Sequence, residues 1–185
     1  FFAFQWHVDG LAAYALFRPR TDHGDAVIAD VQAWIDGNRA VVGVPGDSLG
    51  PDWLHGSAYV FVRQPGGWVI EAKLVASDAG NRDFFGLAVA ISGDTVLVGS
   101  PYQAVDDMPF RGSAYVYTRG AGRWTEQAKL VAADGATQHT FGRAVALAGD
   151  TALVTAPGAG DGEAGQAAGG QPAVLRCLDD RVHQR

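Results

Sequence analysis

Hydrophobic residues along this chain come in short runs rather than long stretches. Runs of five to seven residues, rich in Val, Ile, Leu, Tyr and Ala, are cut apart by Gly, Asp and Pro. That length and punctuation predict β-strands and no helix. The clearest stretch predicts four strands, at about residues 86–92, 95–100, 113–118 and 124–131. Gly93-Asp94 joins the first two, and its leading glycine supplies the positive φ of a type II′ hairpin turn. Gly37-Asn38 and Gly149-Asp150 repeat the device. In AYVFV, Ala58, Val60 and Val62 point one way and Tyr59 and Phe61 the other. Both faces are apolar, so such a sheet has to be covered on both sides.

The pattern also recurs. Shifting the sequence by 56 positions lays GSAYVFVRQPGGW (56–68) over GSAYVYTRGAGRW (112–124) and WVIEAKLVASD (68–78) over WTEQAKLVAAD (124–134). FFGLAVAISGDTVLVGSP (84–101) falls over TFGRAVALAGDTALVTAP (140–157). A worn third copy, AWIDGNRAVVGVPGD (33–47), puts Gly37, Gly43 and Pro45 under Gly93, Gly99 and Pro101, with Ala29 and Asp30 where the others carry Phe-Gly. A unit that cannot bury its own faces needs neighbours, and repetition provides them. Repeated four-stranded sheets packed face to face are the blades of a β-propeller. The small residues Ala88 and Ala90 suit a crowded first strand near the axis of such an array.

These landmarks carry a resemblance. Phe-Gly, then Val-Gly-Ser-Pro or Val-Thr-Ala-Pro, then Gly-Ser-Ala-Tyr-Val and Trp with Ala-Lys-Leu, resemble the FG-GAP repeat of bacterial surface proteins and the blades of the integrin α-subunit propeller. The resemblance covers roughly residues 30–157 and is specific through the combination of landmarks. The expected fold is therefore all-β, with propeller-type repeats of four-stranded antiparallel blades, about three of them, forming a partial propeller. The expected division is a degenerate N-terminal segment (1–29), blade 1 (30–83), blade 2 (84–139) and blade 3 (140–185), the last incomplete with an irregular tail. In that third unit the Gly-Ser-Ala-Tyr phrase reads Ala-Gly-Gly-Gln at 168–171, and PAVLRC (172–177) replaces the third strand if the preceding loop has gained about three residues. Propellers close with 4 to 8 blades. The chain is thus expected to be an arc of a larger propeller or to associate with itself through exposed blade edges.

Composition narrows the partners. A net charge of -6 argues against a phosphate-tracking surface, so nucleic acid is not an expected partner. Cys177 stands alone, which excludes an internal disulfide framework and a cysteine zinc cluster. No apolar run reaches the roughly 20 residues of a membrane span. The opening FFAFQWHVDGLAAYALF lacks the basic start of a secretory leader.

Integrin-type relatives hold calcium in an Asp-rich loop between the Phe-Gly and Gly-Ala-Pro landmarks, so the resemblance raises a metal site. Here that loop has shrunk to the hairpins at Gly93-Asp94 and Gly149-Asp150, each with one carboxylate. Ca²⁺ takes 6 to 8 oxygens, so Asp94 and Asp150 are read as turn residues, and neither a metal nor a cofactor is expected. The longer loops 45–56, 101–112 and 157–166 join second to third strands and emerge on the same rim as the links between blades, 75–84 and 131–140. Among the residues gathered there, Trp53, His55, Tyr102, Asp106, Asp107, Phe110 and Arg111 are the candidate ligand contacts. Loops on a rigid scaffold commonly carry binding, and Trp, Tyr and Arg are enriched at hot spots. The competing reading is solvated loops whose aromatics tuck against their own blade.

Catalysis finds no support. There is no Gly-x-Ser-x-Gly elbow and no His-Glu-x-x-His helix to give His55 or His139 a role. Gly160-Asp161-Gly162-Glu163-Ala164-Gly165 has dinucleotide spacing, but no helix follows it and its carboxylates repel a pyrophosphate. The expected function is a non-catalytic scaffold for protein or glycan binding or adhesion. The resemblance alone implies a cell-surface or extracellular location. A structural spacer is the main rival, and a hydrolase or lyase in the propeller channel a weaker one, since the first strands there read Ala-Val-Ala.

Overall fold

The computed structural model describes residues 5–8, 11–14, 33–48, 54–158, 173–178 and 181–184. Among these there is no helix. A hairpin of β1 (Gln5–Val8) and β2 (Leu11–Tyr14) forms its own two-stranded sheet. Three four-stranded antiparallel sheets follow, each built from consecutive strands. The first contains β3 (Ala33–Asp36), β4 (Arg39–Val44), β5 (Ser57–Gln64) and β6 (Gly67–Leu74). The second contains β7 (Ala88–Ser92), β8 (Thr95–Ser100), β9 (Ser113–Gly120) and β10 (Arg123–Leu130). The third contains β11 (Val145–Ala148), β12 (Thr151–Val154), β13 (Ala173–Leu178) and β14 (Arg181–Gln184).

The second sheet matches the four expected strands closely. Its first hairpin closes through Gly93 at φ +56°, while Asp94 stays at negative φ, the φ pattern of a type II′ turn. The third sheet departs from the repeat. Val98 pairs with Tyr115, whereas Val154 pairs with Ala173, two residues further on than the period requires. The loop before β13 has therefore gained two residues, not three. The sheet nonetheless counts four strands, the last in a stretch without Trp or Ala-Lys-Leu.

Alternation along the strands gives the second sheet two apolar faces, and stacking between the first and third sheets covers both. Val41, Ala58, Val60 and Leu74 of the first sheet pack on Val89, Ile91, Val96, Val98, Tyr115 and Tyr117 of the second. One period later, Leu97, Ala114, Val116 and Leu130 pack on Ala152 and Val154 of the third. Phe85 and Phe141, both fully buried, sit at equivalent places in these two cores. Burying each contributes about 1.5–3 kcal/mol. Tight joints lock the stack. A Cβ on Gly43 would lie 1.9 Å from the carbonyl oxygen of Gly86, and one on Gly99 would lie 2.0 Å from that of Gly142. Only glycine allows adjacent backbones so close.

A β-bulge recurs as well. In β6 the pairing skips Glu71, and in β10 it skips Gln127, one period on. A bulge redirects a side chain. Glu71 accepts hydrogen bonds from Arg39 Nε of its own sheet at 3.0 Å and from Arg119 Nε at 2.8 Å and Trp124 Nε1 at 3.0 Å of the next.

Candidate functional site

The loops between second and third strands and the links between sheets share one end of the stack. Phe84 and Phe85 donate their amides to the carbonyls of Leu54 and His55. Thr140 and Phe141 do the same to Phe110 and Arg111. These ladders force positive φ at Leu54 and Phe110, and at Phe84 and Thr140, pairs separated by one period. The repetition marks this strain as a property of the architecture rather than of one site.

On this rim the sequence gathers an aromatic ladder. Phe84 meets Tyr102 edge to face with ring centres 5.2 Å apart, and Tyr102 meets Phe110 at 5.9 Å and 90°. Such geometry aligns the positive ring edge with the negative face. Phe110 ends the ladder and is 44% exposed. Phe84 escaped sequence reasoning because it looks like an extension of the Phe-Gly landmark. The available signal was that its counterpart one period on is Thr140, so the first phenylalanine is not needed by the repeat.

Asp106 and Asp107 occupy the tip of the same loop. Val105 and Met108 exchange backbone hydrogen bonds of 3.2 and 3.0 Å, and both aspartates between them take positive φ, +52° and +61°. Those are the corners of a type I′ turn, where Asp is favoured. Asp106 also accepts a hydrogen bond from Arg111. No group of three or more His, Cys, Asp or Glu with metal-holding geometry occurs among the described residues.

Arg111 and His55 lie beneath the rim, 7% and 4% exposed. Arg111 donates to the Ala132 carbonyl at 3.0 Å and so fastens loop 101–112 to the following link. Its Nε is buried without a hydrogen-bond partner, beside Gly135. Tyr102 is half-buried, and Asp106 and Asp107 are exposed. Trp53 lies outside the described residues. The structure thus brings Tyr102, Phe110, Asp106 and Asp107 together on the surface, and uses Arg111 and His55 as supports.

A buried polar network carries the rim. Gln103, 3% exposed, meets the hydroxyls of Ser113 and Tyr115, and its amide nitrogen lies 3.3 Å from the Asp83 carboxylate. Burial pushes the Asp83 carboxyl above its ordinary value, outweighing hydrogen bonds from Gly80 and Gln103. Asp78 behaves oppositely. Burial alone would raise it, but the Lys129 ammonium and the Tyr115 hydroxyl together hold it low. Burial, and then the hydrogen bond to Asp78, push the Tyr115 hydroxyl well above the usual phenol range. In the first sheet Asp47 stands where Gln103 stands in the second, and it pairs with its own sheet's Lys73 at 2.8 Å and Ser57 at 2.6 Å. The equivalent lysine, Lys129, instead reaches Asp78 on the link from the preceding sheet.

The FG-GAP repeat model matches residues 68–117 and 124–171, together more than half of the chain. The chain belongs to the FG-GAP repeat family. Among curated proteins, none matches it. The FG-GAP unit is phased one strand off the sheets: residues 68–117 take the outer strand β6 of one sheet and the inner three strands of the next. Each unit therefore contains a whole link between sheets, which is where Phe-Gly sits. FG-GAP repeats imply a β-propeller-type repeat domain and are typically non-catalytic structural repeats.

Proposed function

We propose that this FG-GAP chain is a non-catalytic propeller segment that binds a protein or glycan partner through one rim, in an extracellular or cell-surface setting. The observation that carries the reading is the ladder Phe84, Tyr102 and Phe110, which ends in an exposed ring on a loop braced by buried Arg111. Rigid aromatics lose little entropy on binding and are enriched at hot spots. Asp106 and Asp107 add negative charge beside that ring, which suits a partner with basic or hydroxyl-rich groups. The surface setting rests on the general occurrence of FG-GAP repeats in such proteins. The blade boundaries at residues 30, 84 and 140 belong to the same reading, since the family model phases its unit differently.

The test is a binding screen of the whole chain against immobilised extracellular proteins and glycans, repeated with Phe110→Ala and Tyr102→Ala. The reading expects at least one saturable interaction that both variants weaken tenfold or more while their melting curves keep a single cooperative transition. Interactions indifferent to both variants would leave the spacer reading in place.

A further inference from the structure

We infer that the outer face of the third sheet is closed to the joint that links the sheets of this array, so that copies of the chain do not add head to tail by that joint. The joint needs two glycines. One lies in the second strand of the leading sheet, Gly43 or Gly99, and the other is the Phe-Gly glycine of the following sheet, Gly86 or Gly142. A Cβ on Gly86 or Gly142 would lie 2.3 or 2.2 Å from the carbonyl oxygen of Ser57 or Ser113. Both glycines also hold positive φ, +89° and +91°. Side chains at either place keep the sheets apart.

The third sheet breaks this requirement. Thr155 occupies the place of Gly43 and Gly99: its carbonyl accepts from Gly142 at 2.9 Å as that of Gly99 accepts from Gly86 at 3.0 Å. Thr155 thus presents a Cβ where a following backbone carbonyl has to pass, and its Oγ1 turns back to accept from the Ala144 amide at 3.0 Å. A second tie is missing at the same face. The turn amide of Gly93 donates to Asp36 Oδ2 at 2.6 Å, and that of Gly149 to Ser92 Oγ at 3.1 Å. One period on, the residue is Ala148, whose side chain offers no acceptor.

No described residue packs on this face. Leu153, 36% exposed, stands where Leu97 and Val41 are fully buried, and Ala144 and Ala146 are exposed where Ala88 and Ala90 are buried.

The experiment is sedimentation or light scattering of the whole chain across a hundredfold concentration range, with Leu153→Asp alongside, and thermal melting of Gly99→Thr and Thr155→Gly. A monomer, or an oligomer that Leu153→Asp leaves intact, is expected. So is a large loss of melting temperature or of folding in Gly99→Thr beside a small change in Thr155→Gly. An oligomer that Leu153→Asp disperses, or a Gly99→Thr variant that melts like the parent, overturns the inference. Because Thr155→Gly relieves the obstruction without adding bulk, its concentration dependence gives a second reading: any tendency to assemble must be at least as great as that of the parent, and a lesser one counts against the inference.

Discussion

The carboxylate of Asp78, on the link that leaves the first sheet, receives the Lys129 ammonium from the outer strand of the second at 2.6 Å and the Tyr115 hydroxyl at 2.5 Å. A residue of one repeat is thus fixed by side chains of the next. These partners more than offset burial and hold Asp78 below the ordinary aspartate value of 3.8. A depressed carboxyl contributes stability that is present above its unfolded value and lost as pH falls through its folded value. Lys129→Met is expected to lower the melting temperature at neutral pH and to flatten the decline in stability below about pH 4. Thermal melts of both proteins down to strong acid decide it: parallel acid limbs would reject the assignment.

Asp83 has the opposite sign. It is 6% exposed, and burial raises its carboxyl above 3.8. Its favourable contribution is complete below the unfolded value and is lost as pH rises through the higher folded value, because a buried charge then forms. Asp83→Asn is expected to match the parent in acid and to become relatively more stable above about pH 4, where the parent ionises. The observable is the difference in melting temperature between the two proteins against pH. A difference that shrinks toward neutrality would show that the Gly80 and Gln103 hydrogen bonds govern this site instead.

Much of this architecture was legible because strand punctuation is local chemistry. Gly93-Asp94 announced its hairpin, and the 56-residue recurrence of Phe-Gly and Gly-Ser-Ala-Tyr-Val announced the stacking. The rim was harder. His55 and Arg111 have the residue types of a binding surface, yet both are buried, because backbone ladders between loop and link pull them inward. Asp106-Asp107 looked like a carboxylate pair, and the positive φ that makes them turn corners is a property of backbone pairing between Val105 and Met108. Glu71 gave no signal at all: a bulge, which shifts pairing by one residue, decides where it points.

Glu71 supplies the next prediction. Its side chain is 13% exposed and takes hydrogen bonds from Arg39, Arg119 and Trp124 across two sheets. Removing it leaves the Arg39 and Arg119 guanidiniums only the more distant Asp94 carboxylate, at 3.5 and 3.8 Å, and takes the acceptor from the Trp124 indole N–H in a largely covered place. Glu71→Ala is expected to cost about 1–3 kcal/mol, with Glu71→Gln recovering part of that through its remaining acceptor. Denaturant unfolding at fixed pH measures both. Equal stability of all three proteins would mean that water replaces these contacts at no cost.

The turn reading of the aspartate pair is tested by giving the turn a better sequence for the same φ. The double change Asp106→Asn with Asp107→Gly keeps an acceptor for Arg111 and suits a type I′ turn. Stability should hold or rise by up to about 1 kcal/mol, and added calcium should move the melting temperature of neither protein. A calcium-dependent rise in the parent that the double variant lacks would instead make these carboxylates ligands.

Phe141 and Phe110 separate a core role from a surface role within one pair of contacting segments. Phe141 is fully buried at the second joint, and its amide donates to Arg111, the residue after Phe110. Phe141→Ala leaves a cavity between two sheets that glycine joints prevent from closing, so a loss of about 3–5 kcal/mol is expected. Phe110, 44% exposed and touching Tyr102 by its ring, should cost no more than about 1 kcal/mol when changed to alanine. A comparable loss at Phe110 would make the aromatic ladder a structural brace of loop 101–112, and its exposed end would no longer be free to serve a partner.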